Sequence, residues 1–401
     1  MSPSQLRAAI CEHTVDHCLS LFAAELKAVL LAGSMARDEA TYISRDGFCE
    51  VRGDAEFLLI CNRDTPLPSQ ESLNWVRGMI KHSLYEKGIR CPVSLDAAHD
   101  DYLSTMEPRI FAYELRTCGR VVWGDPNTLG LIPHFQPQDI PLEDAWRLLN
   151  NRIVEQVEIA GAINESEAQF SRALQYQTVK LYLDMASSFL VFAGAYAPTY
   201  ELRSKILNFL AFRQAAGAPM PFPLDDFARN VQLCTEFKVV VRSTEMSAGW
   251  RLHKSAIAHA WILWRWELAQ LSKSDPWLSD RLLRTKWMRR QPLRARMRGW
   301  AHTLRSRGWY RSWREWPRWL PKALQGSPRH WVYAAASELC FRLPWILESG
   351  AASEQGLDWQ EIIQWLPVNE PASYARNKTS WQDLARAIAL NYHELMEKTC
   401  A

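Results

Sequence analysis

The sequence lacks an uncharged apolar run of the roughly 18 residues that a membrane-spanning helix needs. The closest stretch, residues 181–197, contains Asp184. Its nine cysteines include no C-x-x-C pair and are odd in number, which argues against a zinc site or a disulfide framework. Arg7 and Glu12 interrupt the N-terminal segment, which predicts an amphipathic helix and not a signal peptide. We therefore expect a cytoplasmic protein.

The composition also excludes a disordered chain. Hydrophobic residues make up 48% and charged residues 23% of the sequence, which is ordinary for a globular protein. A chain of 401 residues exceeds the usual size of one hydrophobic core, so two or three domains are expected.

A strand followed by glycine and a helix marks the first candidate for a ligand site. Residues 28–32 have the apolar pattern of a short buried strand, and helix-forming sequence follows over 35–41. Gly33 permits close backbone approach, and Ser34 is placed to cap the helix or contact a phosphate. Because the first N–H groups of a helix are free, this turn indicates phosphate binding.

Two carboxylates follow in a second strand-like segment. Asp54 and Glu56 are two residues apart, so the alternation of a strand places both on one face. Adjacent carboxylates repel each other unless a cation neutralises them. Carboxylates acting together with substrate phosphates are the usual ligands of Mg²⁺. The pattern indicates chemistry on a nucleoside triphosphate.

These segments resemble the signature of the polymerase-β-type nucleotidyltransferase superfamily, which includes aminoglycoside and minimal nucleotidyltransferases. The residues that carry the resemblance are Gly33-Ser34, Arg37, Glu39 and Asp54-Ala-Glu56. The family has a third acid on a later strand, and Asp96 within residues 93–97 matches it. The segment 114–126 resembles the strand and turn that close this domain. The resemblance implies an α+β fold for residues 1–130, with a small mixed β-sheet flanked by helices.

The resemblance also implies a role for each matched residue. Asp54 and Glu56 bind Mg²⁺ or Mn²⁺, while Asp96 completes the metal cluster or deprotonates the acceptor. Gly33 and Ser34 hold the triphosphate.

Two departures from the family pattern concern spacing and side-chain length. The 21 positions from Gly33 to Asp54 are more than is usual, so loop 42–53 is expected to be an insertion. The second acid is Glu56, where Asp is commoner in the family, which lengthens the reach to the metal.

The sequence changes character after residue 130. Residues 131–141 are Pro-rich, which predicts a linker. Apolar residues then recur at three- and four-residue intervals, which predicts an all-α region with helices near 142–160, 173–194 and 200–215. Residues 142–275 resemble the helical bundle that closes over the nucleotide in aminoglycoside-type enzymes.

Several side chains are further candidates for contacts with the nucleotide. Arg37 is a candidate phosphate ligand in the first domain. Lys180 and Tyr196, with Tyr200 and Arg203, are candidates for the triphosphate or base in the helical bundle. The alternative for each is an ordinary surface or packing role.

Residues 281–330 are strongly basic, within a C-terminal region that spans 276–401. They contain 15 Lys and Arg residues and one acid, Glu315, whereas the whole chain carries a net charge of only +3. Six tryptophans interleave with the arginines: Trp287, Trp300, Trp309, Trp313, Trp316 and Trp319. An Arg-rich face opposite a Trp-Leu face suits the surface of an anionic membrane, such as the inner membrane face. Nucleic acid and another protein domain are the alternative partners.

The expected reaction is transfer of a nucleoside monophosphate from an NTP to a hydroxyl acceptor, with release of pyrophosphate. Two alternatives stay open. The first is a catalytically inactive nucleotide sensor or membrane-surface scaffold of the same fold, and the second is an RNA-modifying nucleotidyltransferase. The sequence identifies neither the acceptor nor the base of the NTP, because a fold does not determine a substrate.

Overall fold

The computed structural model describes residues 2–45, 47–163, 172–214, 221–239, 249–307, 317, 319–349, 359–367 and 380–398. The chain divides into two compact units. The first comprises Met1–Asp144, Ala193–Phe212 and Val231–Thr244, and the second comprises Ala145–Phe192, Arg213–Asn230 and Glu245–Ala401. The mixed α+β class with a helical C-terminal region is confirmed. The division at residues 130 and 275 stays a prediction.

A four-stranded mixed sheet forms the centre of the first unit. Its strands are β1 (Leu26–Ala32), β4 (Ala55–Cys61), β6 (Val93–His99) and β7 (Arg120–Gly124), in the order β6-β4-β1-β7. β1 is antiparallel to β4 and β7, and β4 is parallel to β6. The strands expected near 28–32, 57–60 and 93–97 are therefore present. Their apolar runs are buried on both faces of the sheet.

Helices cover both faces of this sheet. On one face α1 (Pro3–Phe22) and α3 (Gln70–Glu86) bury Ile10 and Val76 against Leu59 of β4. On the other face α4 (Asp100–Ser104) and α5 (Ile110–Cys118) bury Leu103 and Leu115 against Leu58. The expected N-terminal helix begins with a capping box between Ser2 and Gln5, which satisfies two backbone N–H groups.

The segment between Gly33 and Asp54 differs from the sequence-based expectation. The helix predicted over 35–41 is a single turn, α2 (Gly33–Ala36), and Asp38 follows it with a left-handed φ of 63°, which ends the helix. Loop 42–53 is not irregular. It forms a hairpin of β2 (Thr41–Arg45) and β3 (Phe48–Arg52), and β3 pairs in parallel with β5 (Ile89–Arg90) in a second sheet.

The rest of the described chain is helical, as expected from residue 142 onward. The helices are α6 (Leu142–Gly161), α7 (Arg172–Phe192), α8 (Tyr200–Gln214), α9 (Leu224–Val239), α10 (Gly249–Ser272), α11 (Asp280–Arg290), α12 (Leu293–Arg307), α13 (residues 319–325), α14 (Pro328–Cys340), α15 (Leu343–Ser349), α16 (Trp359–Trp365) and α17 (Trp381–Lys398). Within the described ranges, none of the helices combines the length and apolar character that crossing a bilayer requires.

Three tryptophans of the basic segment lie in the core of the second unit. Trp287 is 8% exposed, and Trp300 and Trp319 are fully buried. The Trp300 indole Nε1 donates to the carbonyl of Gly326 at 2.8 Å. The prediction of an exposed Trp-Leu face is therefore wrong for these three rings, because they pack inside the unit. Trp309, Trp313 and Trp316 lie outside the described residues.

The exposed side of α11 and α12 is basic. It carries Arg281, Lys286, Arg289, Arg290, Arg294, Arg298 and Arg305. Contact of residues 281–330 with an anionic membrane or with nucleic acid stays a prediction, and it would depend on these charges and not on the three buried rings.

The carboxyl group of Glu267 lies deep between helices of the second unit. Glu267 on α10 is fully buried, and its Oε1 accepts a hydrogen bond of 2.6 Å from the Ser188 hydroxyl of α7. Its other oxygen, Oε2, has no hydrogen-bond partner. Burial raises the pKa of Glu267 from its ordinary value to about 8, and the Ser188 hydrogen bond offsets only part of that shift.

This raised pKa predicts that Glu267→Gln stabilises the protein at neutral pH. Between about pH 4.5 and pH 8 the folded protein keeps a proton that the unfolded chain has lost, so stability falls as the pH rises. The variant has no such proton to lose. We expect a gain in unfolding free energy on the order of 3 kcal/mol at pH 8, measured by urea denaturation. Near pH 4 the two proteins should be equally stable, and an advantage independent of pH would contradict the assignment.

Candidate active site

Gly33 and Glu56 meet where the first strand ends. Ala32, the last residue of β1, is the register partner of Glu56 at the start of β4. Gly33 then turns the chain with a left-handed φ of 67°, which glycine adopts without strain. A Cβ atom placed on Gly33 would lie 2.4 Å from Glu56 Oε1. The Glu56 carboxylate therefore lies directly over the glycine backbone, and a side chain at position 33 would displace it.

Asp96 shares the sheet face of Glu56. Leu58 of β4 pairs with Asp96 of β6, and Glu56 pairs with Ser94. Paired residues of neighbouring strands project to the same face, and so do residues two apart in a strand. Glu56 and Asp96 are therefore diagonal neighbours. Strand spacing and rise place their Cα atoms roughly 8 Å apart.

Asp54 lies just before β4 and is exposed, like Glu56 and Asp96. Its charge acts on a nearby thiol: burial raises the pKa of Cys91 to about 12, and the carboxylate of Asp54 adds to that rise. All three predicted acids thus belong to the first unit and reach solvent, where a ligand has access to them.

The donor set suits a hard divalent cation, but the acids are staggered along the sheet. Among the described residues, no group of three or more His, Cys, Asp or Glu side chains is close enough to hold a metal ion. Mg²⁺ is commonly held by one or two carboxylates together with substrate phosphates and not by a complete protein cage. The Asp54-Glu56 pair would supply that smaller set.

The turn after Gly33 is fixed by contacts outside the helix. The residue at the N-cap of α2 is Ala32, and no side chain caps the helix, so Ser34 lies within the turn and does not cap it as expected. Arg120 of β7 donates from Nε to the Ala36 carbonyl at 2.7 Å and from Nη2 to Asp38 at 2.6 Å. At the other end of the turn, the N-cap residue supplies no side-chain acceptor to the first N–H groups.

A buried cluster of charges lies beyond this turn. Arg37 donates from Nε to Glu39 Oε2 at 2.9 Å and from Nη1 to Glu114 of α5. Arg203 of α8 donates to the other oxygen of the same Glu114 carboxylate. The Tyr196 hydroxyl also donates to Glu114, at 2.5 Å. We call Arg37, Glu39, Glu114, Tyr196 and Arg203 the Glu114 cluster.

The cluster is electrically balanced. Burial disfavours the charged guanidinium of Arg37, but Glu114 and Glu39 outweigh that effect and hold its pKa above the ordinary value. The same balance, with Tyr196 and Glu114 opposing burial, raises the pKa of Arg203. Burial also raises the pKa of Glu39, although Arg37 opposes it. Two arginines and two glutamates thus stabilise one another away from water.

These contacts change the interpretation of several predicted ligands. The side chain of Arg37 is only 6% exposed and is paired with two acids, so contact with a phosphate would require it to leave them. Tyr196 is 3% exposed and Arg203 is 3% exposed, and both are fully engaged with Glu114. The ring of Tyr200 lies 5.2 Å from the Arg37 guanidinium. In this structure the side chains of Arg37, Tyr196, Tyr200 and Arg203 contact one another or Glu114 and stabilise the turn after Gly33.

Lys180 belongs to the second unit. Its Nζ lies 3.9 Å from Glu155 Oε2 and 5.6 Å from the centre of the Tyr176 ring. These contacts account for its position within that unit, and its proposed role at the nucleotide stays a prediction.

Comparison with known proteins adds no further constraint. The chain matches no protein-family model, no curated protein and no solved structure. The chemistry of the site therefore has to be inferred from its own residues.

Glu114 is the residue that sequence reasoning missed. The family resemblance puts it at the start of a closing strand, whereas it lies in α5, ahead of β7. A lone glutamate in an amphipathic helix normally faces solvent. Only the positions of Arg37 and Arg203, 77 and 89 residues away in sequence, show that it is an internal counter-ion.

We predict that Glu114→Gln strongly destabilises the first unit. The substitution leaves Arg37 and Arg203 buried with insufficient negative charge, and removing one partner of a buried ion pair costs about 3–5 kcal/mol. Urea unfolding followed by circular dichroism measures the loss.

Glu201→Gln on α8 is the matched control. Glu201 pairs with Lys205, and both side chains are 67% exposed, so this change should alter stability by less than about 1 kcal/mol. Equal losses in the two variants would show that Glu114 is not a buried counter-ion.

Proposed function

We propose that the first unit is a metal-dependent nucleotidyltransferase that transfers a nucleoside monophosphate from an NTP to a hydroxyl group. The single observation that supports this best is the apposition of Gly33 and Glu56, with Asp96 diagonal to Glu56 on the same sheet face. The order of a glycine turn, a pair of acids and a third acid matches the superfamily that these residues resemble.

The turn at Gly33 would bind the triphosphate through its backbone. The N–H groups of the first turn of α2 lack a capping side chain, and such groups favour anions. Gly33 has no side chain, so the Glu56 carboxylate lies against the main chain there, and a metal ion held by Glu56 would be close to a phosphate on these N–H groups. The contacts of Arg120 keep the turn in place while a ligand binds.

Asp54 and Glu56 would hold Mg²⁺, with phosphate oxygens completing its coordination. When bound, the ion supplies charge neutralisation of the triphosphate and of the leaving group. The additional methylene of Glu56 lets its carboxylate reach over Gly33 at the end of β1. The departure from the commoner Asp would thus place a metal ligand against the proposed phosphate-binding turn.

Asp96 would act on the acceptor. It is exposed and ionisable, and it can take the proton of an acceptor hydroxyl as general base. The hydroxyl oxygen then forms a bond to the α-phosphorus, the bond from that phosphorus to the β-phosphate bridging oxygen breaks, and pyrophosphate leaves with the electron pair. The proton remains on Asp96 until solvent removes it.

We predict that Asp54→Asn, Glu56→Gln and Asp96→Asn each reduce Mg²⁺-dependent pyrophosphate release by at least about 100-fold, because each removes charge at the reacting centre. All three side chains are exposed, so unfolding free energy should change by less than about 0.5 kcal/mol. Each NTP is incubated with the protein and a metabolite extract, and mass spectrometry identifies the nucleotidylated product.

Asp64→Asn provides the control for these variants. Asp64 is an exposed acid beyond the opposite end of β4, and its loss should leave activity unchanged. Full activity in both Asp54→Asn and Glu56→Gln would refute the proposal. NTP binding without pyrophosphate release under any condition would favour the nucleotide sensor instead.

Gly33→Ala tests the contact with Glu56. We expect it to lose about 100-fold in activity, because the added Cβ displaces the Glu56 carboxylate. It should also lose about 1 kcal/mol of stability from its positive φ. Activity and urea unfolding are measured on the same preparation.

Gly47→Ala separates these two effects. Gly47 also has a positive φ, 78°, but a Cβ there meets no atom within 4 Å. It should share the loss of stability and keep full activity. If both alanine variants had equal activity, the position of Gly33 against Glu56 would have no catalytic meaning.

A further inference from the structure

A groove of about 680 Å³ opens on the first unit, between α3 and the second sheet. This volume is within the range of pockets that hold small organic ligands. Apolar atoms make up most of its wall, contributed by Val51, Tyr85, Ile89, Pro92 and Val93.

Three cations line the same groove. They are Arg77 and Lys81 on α3 and Arg90 on β5, and the only acid among the lining residues is Glu50. Glu50 lies 3.8 Å from Arg52, which is outside the groove lining. Within the part of the chain that the structure describes, Arg77 and Lys81 have no acidic partner. The groove therefore has an excess of positive charge.

The Arg77 guanidinium shows that this charge is incompletely satisfied. Its Nε atom is buried and has no hydrogen-bond partner, a state that costs free energy in a folded protein. Arg90 differs, because its guanidinium stacks on the Phe48 ring at 4.1 Å. That contact holds Arg90 at the rim without using its hydrogen-bond donors. An anion in the groove would supply the acceptor that Arg77 Nε lacks.

We propose that this groove binds an organic anion with an apolar body and a phosphate or carboxylate group. The apolar body lies against Val51, Ile89 and the Tyr85 ring. The anionic group lies between Arg77 and Lys81, because charge-assisted hydrogen bonds to a planar guanidinium fix its orientation.

The groove lies on the opposite sheet face from Glu56 and Asp96, although Asp54 is close to the lining residues Cys91 and Pro92. α3 covers the sheet face that buries Leu59, whereas Glu56 and Asp96 lie on the face of Leu58. Binding in the groove therefore does not require nucleotidyl transfer, and its test does not depend on activity.

Isothermal titration calorimetry with four small probes tests the proposal on the full-length protein. The probes are 2-naphthyl phosphate, 2-naphthoate, neutral 2-naphthalenemethanol and inorganic phosphate. We expect at least one naphthyl anion to bind, and to bind at least tenfold more tightly than both the neutral alcohol and inorganic phosphate. The two anions distinguish a phosphate ligand from a carboxylate ligand.

Arg77→Gln and Lys81→Gln should each weaken binding of that anion by about tenfold or more. Lys87→Gln is the matched control, since Lys87 lies at the C-terminal end of α3 outside the groove, and it should leave affinity unchanged. The proposal is overturned if neither anion binds, if the neutral alcohol binds as tightly, or if Lys87→Gln has the same effect as Arg77→Gln.

Discussion

The carboxylate of Glu114 neutralises two buried guanidinium groups, those of Arg37 and Arg203, and the turn after β1 depends on this arrangement. A guanidinium taken from water without a counter-ion costs several kcal/mol. Glu39 balances the second positive charge. Because the four charges cancel, residues around the turn can pack away from solvent, and the backbone at Gly33 is held by tertiary contacts and not by helix formation.

This constraint explains how a one-turn helix could serve as part of the proposed binding site. Four residues are too few to form a stable helix alone, yet Arg120 holds the far end of α2 through Ala36 and Asp38. The backbone that would contact a phosphate is therefore fixed in advance, while the carboxylates of Asp54, Glu56 and Asp96 remain exposed. Fixed donors beside accessible acids suit a reaction in which the substrate brings further charge.

The sequence predicts the strands and the first turn of this unit, but it does not predict contacts between residues that are far apart in the chain. Apolar runs predict β1 and β4, the family resemblance implies β6, and Gly33 marks the turn that follows β1. The hairpin of residues 41–52 escapes prediction because its pairing partner, β5, contains only two residues. The Glu114 cluster escapes for a related reason: its members belong to three separate segments. Similarly, the helical spacing of Leu293, Met297, Trp300 and Leu304 indicates an apolar helix side but not that protein covers Trp300.

In its described residues, the first unit contains paired buried charges in the Glu114 cluster and cations without an acidic partner beside α3, and this difference bears on function. In the Glu114 cluster every buried charge has a partner, as stability requires. Beside α3, Arg77 and Lys81 are close to each other without an acid, and like charges repel. Stability therefore does not account for the basic lining of the groove, whereas neutralisation by a bound anion accounts for it directly.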